Sequence, residues 1–121
     1  MKNNFFKYWA PLYMYAGLIF YLSSLTKVLP EVDIPSFDKV LHIVEYAIFS
    51  ILALRAFRNS KREFVLKNLK LVAITISILY GMSDEFHQSF VPGRQCSIWD
   101  MLFDGIGSTI GVIFYGKYCS I

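Results

Sequence analysis

Four long apolar runs take up almost all of this chain, and they leave few folds open to it. A helix that crosses a bilayer needs about 20 mostly apolar residues. Four such helices and short connections consume nearly all of the 121 residues. Hydrophobic residues make up 55% of the chain. An ordinary soluble domain has roughly 45–50% even with glycine counted, and here the excess is gathered in the runs. No internal repeat, low-complexity stretch or linker breaks the pattern, so the sequence reads as one domain over residues 1–121. The expected class is all-α, a four-helix transmembrane bundle.

The first span is expected over residues 8–25, with Pro11 in its first turn, where a missing N–H costs little. Lys2 and Lys7 ahead of this run imitate a secretory signal. No small-x-small cleavage pattern follows, and the run is long and aromatic, so it reads as a retained helix. Phe5, Phe6, Tyr8 and Trp9 form an aromatic belt of the kind found at membrane interfaces. Pro30 and Pro35 keep the next connection out of helix. The second span is expected over residues 38–57, with Ser36 available as N-cap. The third runs over residues 69–90 and stops before Pro92-Gly93. The fourth runs over residues 98–115, opened by a capping box of the form Ser97-Ile-Trp-Asp100.

Basic residues set the orientation. Arg55, Arg58, Lys61, Arg62, Lys67 and Lys70 flank the link between spans two and three. Lys2, Lys7 and Lys117 lie at the same end of the bundle. The positive-inside rule then places both termini and this link in the cytoplasm of a multi-pass membrane protein. That rule accounts for the basic link fully, so no nucleic-acid partner is expected. Cys96 falls outside and Cys119 inside, which excludes a disulfide between them and a zinc site built on both.

Ionisable residues crowd the opposite ends of spans two, three and four. Charges at membrane depth are costly and generally face a bundle interior. Asp38, His42 and Glu45 follow at i, i+4, i+7 and share one helical stripe. Ser77, Gly81, Asp84 and Gln88 share another, and Asp100, Asp104, Gly107 and Gly111 a third. Glu45, Asp84 and Asp104 lie at one depth, about 10 Å below the outer surface at 1.5 Å per residue. Asp38 and Asp100 also suit helix N-termini, Lys39 suits snorkelling to headgroups, Glu85 and His87 suit an interfacial position, and Gln88 suits interhelical bonding. Counted over Asp38, Lys39, His42, Glu45, Asp84, Glu85, His87, Arg94, Asp100 and Asp104 with neutral histidines, six side chains are negative and two positive. Protonation of some carboxyls, a bound cation or a positively charged ligand group would balance it. The Gly107-x-x-x-Gly111 spacing permits close helix approach, read as packing within the bundle.

Ser23-Ser24, Asp38-Lys39 followed by His42 and Tyr46, Asp84-Glu85 followed by Gln88, Phe90-Val-Pro92-Gly93-Arg94, and Asp100 with Asp104-Gly105-x-Gly107 together resemble the VanZ-like family, over about residues 22–113. The run Asp-Glu-x-x-Gln-x-Phe-x-Pro-Gly-Arg is the specific part. The family often carries Asn where Asp104 stands, so part of the negative count belongs to this chain. The resemblance implies a small multi-pass protein of the bacterial cell membrane, in a family named for an accessory factor that raises tolerance to teicoplanin. It implies no particular chemistry.

The candidate site is therefore a polar cup made of Asp38, His42, Glu45, Asp84, Glu85, Gln88, Arg94, Asp100 and Asp104. One function is binding of a membrane lipid, a lipid-linked envelope precursor or a lipoglycopeptide, with Arg94 and the histidines on phosphate. The alternative is an intramembrane enzyme on a lipid-linked substrate, using the carboxylates and His42 as acid and base, or holding a divalent cation. No hydrolase motif is visible, and no cofactor is required. A proton-coupled transporter fits less well, because the ionisable residues stop within one leaflet.

Overall fold

A computed structural model describes residues 5–24, 37–91 and 98–119, with side chains for all of these except 37–39. Among the described residues every regular element is helical. The chain enters through one π-helical turn, Phe5–Trp9, and continues as α1, Ala10–Ser24. Then come α2, Phe37–Phe57; a short α3, Glu63–Lys67; α4, Leu69–Gln88; and α5, Ile98–Tyr118.

The helix at the start of the chain begins earlier than Pro11 suggests. Pro11 lies past the π turn, inside a continuous helical segment. Its ring would clash with the carbonyl of the residue four before it in a regular helix, and a π turn directly upstream is a recognised way for a helix to absorb such a disturbance. The basic link also holds an element that hydrophobic periodicity does not reveal. Glu63 and Lys67 pair at 3.3 Å across one turn of α3, an i,i+4 arrangement that supports short helices modestly. Asn68 closes it, with its side-chain amide donating to the Phe64 carbonyl at 3.0 Å, while its own carbonyl accepts from Val72 N–H at 2.8 Å to open α4.

Helices α2, α4 and α5 pack against one another, and α1 lies along α2 and α4 rather than α5. Two phenols tie α1 in place. Tyr15 donates to the Glu45 carbonyl at 2.8 Å and Tyr80 to the Ala16 carbonyl at 2.5 Å. Glycines bring α5 onto α2. A Cβ at Gly107 would fall on the Ile43 carbonyl and lie 2.8 Å from the Ile43 Cα, and one at Gly111 would lie 2.9 Å from the Ala47 Cα. This is backbone-on-backbone contact of the kind small residues allow.

The interior is divided along its length. Phe49, Ala53, Leu54, Ala56, Leu69, Ala73 and Val112 form an apolar core in the half toward the α2–α4 link. The other half buries Asp84, Glu85, Gln88, Asp100 and Asp104. Outward faces are apolar, with Met14, Val44, Leu79, Phe86, Ile110, Ile113 and Phe114 exposed. Two helices, α2 over Val40–Phe57 and α5 over Ile98–Tyr118, are long and apolar enough to cross a membrane.

Candidate functional site

Three helices build the polar half, and their periodicities aim it. Ser77, Gly81, Asp84 and Gln88 are all buried on one face of α4, and Asp100, Asp104, Gly107 and Gly111 on one face of α5. Spacings of three and four residues keep each set on its stripe. On α2, His42 points toward α5 and Tyr46 toward α4.

His42 stands between two carboxylates one turn apart. Its Nδ1 lies 2.7 Å from Asp104 Oδ1, a short charge-assisted hydrogen bond. Its Nε2 lies 3.7 Å from Asp100 Oδ2, beyond hydrogen-bond reach. Asp104 is 1% exposed, and its second oxygen, Oδ2, has no hydrogen-bond partner among the described residues. That oxygen rests against α4 at Gly81, where an added Cβ would come within 3.0 Å of it. Glycine at position 81 is what lets the carboxylate fit. On the other side, the fully buried Tyr46 donates its hydroxyl to Asp84 Oδ2 at 3.2 Å. Ser23, from the end of α1, also faces Asp84.

The remaining candidates divide. Glu85 is 0% exposed and therefore interior, not interfacial. Gln88 is buried beside it at the end of α4. Glu45 is half-buried, within electrostatic reach of Tyr15, Tyr46 and Tyr80. His87 sits at the edge of the cluster, within electrostatic reach of Asp84 but turned toward α1. It stacks on Phe20 at 4.3 Å between ring centres and bonds Ser24 Oγ at 2.8 Å, fastening α1 to α4. Arg94 and the Asp38 side chain lie outside the described residues, as do Pro92, Gly93 and Cys96. Tyr46 and Ser23 are the residues that site reasoning passed over. The signal for Tyr46 was its place four residues after His42, on the same stripe.

One group could hold a cation. Ligand atoms of His42, Glu85 and Asp100, one from each of α2, α4 and α5, lie within 4.8 Å of one another. The bond from His42 Nδ1 to Asp104 leaves Nε2 as the free ring nitrogen facing that group. Metal-binding histidines are commonly held in this way by a carboxylate behind them. Chemically, then, the site offers an acid–base pair, a hydroxyl-supported carboxylate and a three-helix oxygen–nitrogen cluster.

A family model described as VanZ/LLP1 matches residues 2–118. No curated protein and no solved structure matches the chain.

Proposed function

The chain belongs to the VanZ/LLP1 family, and from that membership and the buried polar cluster we propose that it is a four-span membrane protein. Both termini are cytoplasmic, and the cup receives the polar head of a lipid, a lipid-linked envelope precursor or a teicoplanin-type lipoglycopeptide. The observation that carries this reading is the inversion of polarity. Asp84, Glu85, Asp100 and Asp104 are buried while the helices turn Val44, Leu79, Phe86 and Ile113 outward. A soluble protein gains nothing from that arrangement. A membrane protein gains a lipid-compatible surface and keeps a costly polar group only where it acts.

In the cup, His42 held by Asp104 offers a donor to phosphate or sugar oxygens, while the buried Tyr46 hydroxyl supports Asp84 from behind. The carboxylates accept from sugar hydroxyls or amines. Arg94, which directly follows Pro92-Gly93 in the sequence, is assigned the planar fork for an anionic group. The acyl chain of the ligand stays in the bilayer beside the apolar faces.

The His42, Glu85 and Asp100 group favours a second reading, a metal-dependent reaction on a lipid-linked substrate. One set of purified samples separates the two. Asp84→Asn, Asp104→Asn and Glu45→Gln are melted in detergent, assayed in cells for envelope-stress or teicoplanin tolerance, and analysed for metal by mass spectrometry. Loss of activity with melting temperature unchanged supports a site. Full activity with raised stability means that the carboxylates are merely tolerated. Stoichiometric metal that falls with His42→Gln selects the enzyme reading.

A further inference from the structure

The end of the bundle opposite the cup carries its own constellation. Lys7, just ahead of α1, and Arg55, in the last turn of α2, both approach the ring of Tyr8. Lys7 Nζ lies 5.3 Å from its centre and the Arg55 guanidinium carbon 5.5 Å. Two cations from separate helices are thus held near one aromatic ring. Arg58 joins them, since it and Arg55 both lie within electrostatic reach of the Tyr115 hydroxyl on α5. No carboxylate answers this charge. Glu63 is the only acidic residue in the sequence segments at this end, and it is paired with Lys67. Around the cations stand aromatic rings: Phe6 is 69% exposed, and Trp9 packs edge-on against Phe57 at 5.2 Å.

We propose that Lys7, Arg55 and Arg58, gathered around Tyr8 and Tyr115, bind the phosphate of an anionic phospholipid in the leaflet facing the α2–α4 link. The positive-inside rule explains why basic residues are found at this end. It does not explain why Lys7 and Arg55 converge on one ring instead of spreading apart. A guanidinium and an ammonium presented together, with a phenol alongside, match the donors that phosphate oxygens take. The exposed aromatic belt favours a phosphate delivered by a lipid over a free anion, because rings such as Phe6 and Trp9 seat at headgroup level. The proposal rests on the membrane-spanning reading above, and its test separates the two.

Trp9 and Trp99 are the two tryptophans. Trp99→Phe leaves Trp9, next to Tyr8, as a local reporter. This protein is reconstituted into phosphatidylcholine bilayers containing a small equal fraction of brominated phosphatidylglycerol or brominated phosphatidylcholine. The anionic brominated lipid is expected to quench Trp9 several-fold more strongly. Lys7→Gln with Arg55→Gln should abolish that preference. Lys61→Gln with Lys70→Gln, which removes the same charge at the same end, should keep it. Equal quenching by both lipids, or equal loss in both double variants, overturns the site and leaves the spanning reading intact. Suppression of the preference by millimolar inorganic phosphate would show that the site takes free phosphate, which also overturns a lipid site. Failure of the wild-type protein to enter the bilayer overturns the spanning reading itself.

Discussion

Tyr46 shows how tightly the polar half is balanced. Its ring belongs to the apolar core, while its hydroxyl is the donor held 3.2 Å from Asp84 Oδ2. The two residues lie on different helices, so the bond links α2 to α4 at the level where the interior changes character. Tyr46→Phe keeps the ring and removes the donor. The expected cost is about 1–3 kcal/mol, the penalty of leaving a buried acceptor unsatisfied. It should be read as a lower melting temperature in detergent. Asp84→Asn alongside Tyr46→Phe should recover part of the loss, because a neutral amide is cheaper to bury than a carboxylate that has lost one of its donors. Equal stability of Tyr46→Phe and wild type would mean that the bond contributes nothing.

Among the elements, the crossing of α5 over α2 depends on glycine more than on side-chain fit. Gly107 meets the Ile43 backbone with no space for a methyl group, whereas Gly105 has only the Ile78 side chain near, at 3.8 Å. The pair makes an internal control. Gly107→Ala must push two helices apart and is expected to cost at least ~1–3 kcal/mol, the usual penalty of overpacking. Gly105→Ala meets ordinary contact and gains helix propensity, so it should be neutral or stabilising. Thermal melts of both variants decide the matter, and similar melting temperatures would remove the close crossing from the account.

The same helices show what was legible in the sequence. The buried stripes of α4 and α5 follow from i, i+3, i+4 spacing alone, because a helix converts spacing into a face wherever it packs. The positions of α2, α4 and α5 follow from length and hydropathy. What spacing does not encode is the partner across the gap. Nothing in the order of residues shows that Tyr15 bonds the Glu45 carbonyl while His42 bonds Asp104, because that depends on where α1 and α5 dock. Glu85 and His87 illustrate the same limit. They are two residues apart in one turn, yet Glu85 is closed inside and His87 faces the end of α1. Helix α3 was hidden for a different reason: its support is a local ion pair and an asparagine cap, not a hydrophobic period.

For the whole molecule, charge is segregated along the bundle. Basic residues gather at the α2–α4 link and carboxylates at the cup, with the apolar core between them. The proposed topology follows from this and is tested by thiol accessibility. Cys96 should react with a membrane-impermeant reagent in intact cells, and Cys119 only after permeabilisation. The reverse pattern would invert the protein and put the cup in the wrong leaflet.

In the proposed topology, segregation of this kind would also make the cup a voltage-sensitive place. Asp104 lies six residues into α5, which is roughly 9 Å of a hydrocarbon core of about 30 Å. In the proposed orientation, a cation entering from outside and settling beside Asp104 crosses about a third of the membrane field. One charge moved through the full field is worth ~2.3 kcal/mol per 100 mV, so this partial passage is worth about 0.8 kcal/mol. An energised, inside-negative membrane would therefore hold a cationic group in the cup about fourfold more tightly than a depolarised one. Occupancy of the proposed site would thereby become a function of the energetic state of the cell, with no moving part beyond the ligand itself.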